Sequence, residues 1–146
     1  MLETKQKAPW HLWMVGGLGL LWNSVGAFDY LMTKTRNESY MSNFTPEQLD
    51  YFYNFPIWAD ASWAVSVWCA VLGCVLLLLH KKLATPVLFL SMIAYGITWL
   101  YNVVLSNGME IMGGGIGHVI FAAAIFVIIL LLWIYARIMT ARAVIT

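Results

Sequence analysis

Four long apolar stretches, parted by short polar ones, set the rhythm of this chain. They run near Trp10–Tyr30, Ile57–Leu79, Pro86–Leu105 and Ile116–Ile138. Each reaches the roughly 20 residues a helix needs to cross the hydrocarbon core of a bilayer. None alternates as a barrel strand does, and backbone groups in lipid must be satisfied within the segment, so the pattern predicts helices. Pro9, Pro46, Pro56 and Pro86 all stand at the edges of the runs, where a missing N–H costs little. The expectation is an all-α integral membrane protein, residues 1–146 forming one four-helix transmembrane bundle.

The longest connection, residues 32–56, carries its own helix signal in "FTPEQLDYFYNFP". Thr45 is placed as N-cap, Pro46 as first helical residue and Gln48 three beyond the cap, which is a capping box. A short aromatic helix over about 46–55 follows, ended before Pro56. It is expected to lie interfacially as a connector between spans one and two, with a lid over the bundle mouth as the alternative. Asn37-Glu-Ser39 and Asn43-Phe-Thr45 match the glycosylation acceptor pattern, which has meaning only in a eukaryotic source. The second outer link, "SNGMEIMGGGIG", is glycine-rich and expected to be flexible.

Composition strengthens the membrane reading. The chain is 62% hydrophobic and 10% charged, against roughly 25% charged in soluble domains. Its net charge of +1 and lack of a basic block argue against a nucleic-acid partner. Lys5, Lys7, Lys81, Lys82, Arg137 and Arg142 fall on one side of a four-span chain, and only Lys34 and Arg36 on the other. The positive-inside rule then places both termini in the cytoplasm. Of the acids, only Glu3 maps to the inner side. Trp10, Trp13, Trp133 and Tyr135 suit the inner interface, and Trp58, Trp99 and Tyr101 the outer one. A competing reading makes the first run a signal peptide cut near Ala27, which would leave three spans. Cys69 and Cys74 sit five apart on one helix, where a disulfide does not fit.

The pieces "PWHLW", "LLWNSVGAFDYLMTKTRN" and "NFTPEQLDYFYNFP", from Trp10 through Pro56, carry a resemblance. The chain resembles small, largely uncharacterised four-helix bacterial inner-membrane proteins, some of them labelled sugar transporters. The resemblance covers about the first third of the chain. It implies a multi-pass protein of the bacterial inner membrane and brings no site or activity with it.

Helices in lipid associate through small residues and a few hydrogen bonds. Gly19, Asn23 and Ala27 in span one, and Ser62, Ser66, Ala70 and Cys74 in span two, recur at i+4 spacing. These stripes are expected to pack the two spans together, with Asn23 bonding across. Polar side chains gather instead at the outer third: Asp29, Asp60, Asn102 and His118, one from each span. With Tyr30, Trp99 and Tyr101 as walls they would form an outward-facing pocket for a cation or polar solute. Asp60 has a purely electrostatic role open to it, favouring the positive N-terminus of span two. His118 near Asp60 would make a pH-sensitive pair.

No nucleophile–base spacing, zinc motif or phosphate loop is present, so no enzyme, cofactor or metal is expected. Small four-span multidrug exporters carry a mid-membrane carboxylate where this chain has Asn23. Half-size sugar carriers have three spans and a Pro-Gln signature. The sequence therefore favours a non-enzymatic accessory or envelope-associated membrane protein, held in the lipid bilayer with another membrane protein or as a homodimer. The alternative is a transporter or binding protein for a small solute or cation.

Overall fold

Pro9 starts the first helix, α1 (Trp10–Lys34), in extended backbone. The chain then forms α2 (Glu38–Met41), α3 (Pro46–Tyr53), α4 (Ile57–Leu78) and α5 (Ala84–Leu100). A π-helical turn over Tyr101–Leu105 prolongs α5, and α6 (Gly108–Ile111) and α7 (Ile116–Ala141) follow. This computed structural model describes residues 6–146; Glu3 and Lys5, counted above for charge, lie outside the described residues. Among the described residues there is no strand. Pro86 sits inside the first turn of α5 rather than opening it, a position where its missing N–H would have no intrahelical partner in any case.

Three helices are long and apolar enough to cross a membrane: Ile57–Leu78, Ala84–Leu105 and Ile116–Ala141. The 25-residue α1 has the length but is diluted by His11, Asn23 and Asp29. Large apolar side chains stand exposed along these helices, Leu72, Val104 and Leu131 among them. A soluble surface seldom shows so continuous a patch, and the chain is a membrane protein.

Side by side, α1 packs on α4, α4 on α5 and α5 on α7, whereas α1 and α7 meet through a few side chains, His11 against Tyr135 and Gly19 beneath Leu132. At one end the Gln6 amide donates to the Ala143 carbonyl and the Thr146 amide to that of His80. That end thus gathers the segment before α1, the α4–α5 link and the C-terminus. A close-packed apolar core lies there, including Leu12, Leu77, Leu88, Leu132 and Met139. Glycine admits its closest contacts: a Cβ on Gly73 would come within 2.5 Å of Leu88, and one on Gly16 within 2.6 Å of Leu78.

The small-residue stripe of the second run behaves differently from expectation. The Ser62 and Thr98 hydroxyls pair at 2.9 Å, and Ser91 donates to the Ser66 carbonyl at 2.6 Å. Both serines therefore bond to α5, and Cys74 meets α1, where Asn23 Nδ2 lies 3.6 Å from its sulfur. An i+4 row drifts around a helix of 3.6 residues per turn, so from Ser62 to Cys74 it rotates by about 120°. One stripe consequently serves two neighbours. Asn23 is buried, and its shorter bond, 2.8 Å, runs to Gly19 of its own helix; Ala27 is buried on the same face.

A cavity beneath an aromatic cap

At the opposite end, the loop after α1 folds over the helices. Its capping box is formed: the Gln48 amide donates to Thr45 Oγ1 at 3.2 Å, and the Thr45 amide to Gln48 Oε1 at 3.1 Å. So fixed, α3 presents Tyr51 to the end of α5. The Tyr51 hydroxyl donates to Asn102 Oδ1 at 2.5 Å and lies 2.8 Å from Ser106 Oγ. Gln48 Nε2 donates to the Ile111 carbonyl at 3.1 Å. Gly108 belongs to this latch, since a Cβ there would collide with the Tyr51 hydroxyl. Burial pushes the Tyr51 phenol above its ordinary range. Here α3 rests on the π-helical turn, through Tyr51, and on α6.

The π-helical turn explains how Asn102 takes part. Its Nδ2 donates to the Thr98 carbonyl at 2.8 Å, while Ser106 Oγ closes back on the Tyr101 carbonyl at 2.9 Å. Both ends of the Asn102 amide are thereby used, and the side chain is held at the cavity rim. Single π-turns of this kind recur at functional sites.

Under the cap lies a cavity of about 530 Å³. Asp29, Asn102, Trp99 and His118, four of the pocket residues chosen from sequence, line it. Asn23, Ser66 and Ala70, chosen for packing, line it as well. Asp29 is its one acidic lining residue, and no Lys or Arg is among them. The Tyr40 hydroxyl donates to Asp29 Oδ1 at 2.5 Å. Burial, that hydrogen bond and the carboxylate charge together push the Tyr40 phenol up to about 12.

The other three expected pocket residues are elsewhere. Asp60 makes an ion pair with Lys34 at 2.6 Å; its Oδ1 is shielded from solvent and takes no well-directed hydrogen bond, so the ammonium charge is what meets it. The expected His118–Asp60 pair does not form, because Lys34 from the end of α1 reaches Asp60 instead. Tyr30 packs edge-on against Trp63, ring centres 4.9 Å apart. Tyr101 is part of the cap, against Phe55 at 5.0 Å and Trp58 at 5.4 Å.

The sequence reading missed Tyr40, Phe44, Phe52 and Trp63, which also line the cavity. The aromatic run "YFYNF" pointed to α3, but nothing in a loop sequence gives the register that brings Tyr40 onto Asp29.

Chemically, the cavity offers one carboxylate ringed by aromatic faces, with an amide and an imidazole beside it. Such a set attracts a cation through the carboxylate charge and the ring quadrupoles. Among the described residues no three His, Cys, Asp or Glu side chains gather to hold a metal ion. Set against family models, curated proteins and solved structures, the chain matches none of them.

Proposed function

We propose that this is an integral membrane protein of four spans that binds an organic cation in the cavity beneath its cap and performs no covalent chemistry. Helix α1 is the fourth span. Its 25 residues measure about 37 Å at 1.5 Å per residue, and its Leu18, Leu21, Val25 and Phe28 are exposed as lipid-facing residues would be. The excess of Lys and Arg at the end with both termini favours the cytoplasmic side for that end and the outer side for the cap, and the bacterial inner membrane is the setting the resemblance implies.

One observation carries the binding reading: the cavity of about 530 Å³ has Asp29 as its one lining carboxylate, no lining Lys or Arg, and walls that include Tyr40, Trp63 and Trp99. The volume suits a small organic molecule. Each ring over an ammonium adds about 0.5–2 kcal/mol. The cavity gives ligand binding precedence over the accessory role.

The test is saturable binding of radiolabelled tetraethylammonium to the protein in nanodiscs. Asp29→Asn keeps the shape and the acceptor for Tyr40 but removes the charge. We expect at least a tenfold loss of affinity with helicity and thermal midpoint unchanged. Equal binding by the variant, or no binding by the native protein, would overturn the reading. Flux of the same cation into proteoliposomes separates carriage from binding alone.

A further inference from the structure

A second hollow adjoins the first. Between α1 and α7 runs an open groove of about 800 Å³, and no Asp, Glu, Lys, Arg or His lines it. Trp22 and Val25 line the groove and the capped cavity alike, so the two spaces share a wall at the same turn of α1. The groove exists because α1 leans on α4 and meets α7 through few side chains, Gly19 beneath Leu132 and His11 against Tyr135. Its sides include Leu18, 61% exposed, and Leu131, 58% exposed. In the four-span arrangement these residues face hydrocarbon.

We propose that the cavity opens sideways into the bilayer through this groove, and that its ligand is a single-tailed amphiphile with an ammonium head. This rests on the cation reading above and specifies it. The head sits by Asp29 under the cap, and the tail passes Trp22 and Val25 into the groove. Charge selects the head: a phosphate would bring its anion against Asp29, with no lining Lys or Arg to meet it. Geometry selects the tail. From Val25 down to Val15 the groove follows α1 for about 15 Å at 1.5 Å per residue, the reach of an extended twelve-carbon chain.

Access matters as much as fit. From the water side the cavity is covered by α3, latched through Tyr51 to Asn102 and Ser106 and through Gln48 to Ile111. From the lipid side the boundary is Trp22, whose ring packs against Phe121 of α7 with centres 6.2 Å apart, a contact between apolar rings that holds no hydrogen bond. Hydrocarbon moving from bilayer to groove gains little free energy, since both surroundings are apolar. The tail therefore supplies a route and an orientation, and Asp29 with the aromatic rings supplies the selectivity.

The experiment displaces radiolabelled tetraethylammonium from the protein in nanodiscs, using dodecyltriethylammonium and, as a headless control, dodecanol. A double variant, Leu18→Trp with Leu131→Trp, fills the groove at two lipid-facing positions that do not line the capped cavity. We expect dodecyltriethylammonium to displace the label from the native protein and dodecanol not to. In the double variant the tailed cation should weaken at least tenfold while tetraethylammonium binding stays unchanged. If the double variant leaves the tailed cation as potent as before, the lateral opening is wrong and the cation reading survives. If it instead converts a dimer to a monomer without touching displacement, the groove is an interface between copies and the proposal falls. If neither cation binds the native protein, both readings fall together.

Discussion

Side chains at the end that gathers both termini close on glycine; at the capped end Tyr51 closes so on Gly108, but the lining side chains enclose space. Near the termini, Leu88 fills the gap left by Gly73 and Leu78 the gap left by Gly16, and the core residues Leu12, Leu77 and Leu88 have no exposed surface. Near the cap, by contrast, aromatic rings stand apart around about 530 Å³, and order comes from hydrogen bonds such as Tyr51 to Asn102. Aliphatic chains interdigitate to close-packed density. Rigid rings meet edge to face at fixed spacings, as Phe44 and Phe52 do with centres 5.4 Å apart, and cannot bend to fill the space they enclose. One half is closed by packing, and the other encloses a cavity.

The sharpest break of this contrast is a methyl group placed in each half. Gly73→Ala forces a Cβ to 2.5 Å from Leu88, whereas the nearest neighbour of a Cβ on Gly26, at the cavity, is Val67 at 3.8 Å. Both changes gain the same helix propensity, so that gain cancels in the difference between them. Overpacking should leave Gly73→Ala about 1–3 kcal/mol less stable than Gly26→Ala, read as thermal or denaturant unfolding in detergent. Equal stabilities would mean that the terminal end is no more tightly packed than the capped one.

A smaller effect separates a lid from an interfacial connector. Tyr51→Phe removes the hydroxyl that meets Asn102 and Ser106, a loss of about 1–2 kcal/mol. Hydrogen exchange across α3 should then quicken by roughly tenfold. Gly108→Ala, by displacing that hydroxyl, should quicken it at least as much without touching the hydrogen-bonding groups. If neither variant alters exchange in α3, headgroups hold that helix in place, and the connector reading returns.

How much of this was legible in the sequence follows from what each feature depends on. Helices of the runs and the capping box at Thr45 and Gln48 depend on neighbours three or four residues away, and both could be read directly. Depth along a helix was legible too: it put Asp29, Asn102 and His118 at one level, and they line one cavity. Azimuth was not. Asp60 shares the level but is paired with Lys34, and the stripe from Ser62 to Cys74 winds from one neighbour to another. Nor could a sequence without a helix order show that α1 and α7 leave a groove between them. The π-helical turn at Tyr101–Leu105 escaped because its polar residues, Asn102 and Ser106, are spaced as in an ordinary helix.

The smallest expected effect concerns the proton between Tyr40 and Asp29. Free tyrosine loses its proton near 10, whereas Tyr40 holds its own to about 12, first through burial and then through the hydrogen bond and charge of Asp29. The closed loop therefore keeps a proton that the opened loop gives up. Its advantage is complete below pH 10 and is lost as pH rises from 10 to about 12. A phenolate absorbance titration of the native protein minus that of Tyr40→Phe isolates this group, and its midpoint should fall near 12. Asp29→Asn should lower that midpoint without returning it to 10, because burial is the larger cause. A native midpoint at 10 would place Tyr40 in water. Asp29 would then face the cavity without the phenol that holds it.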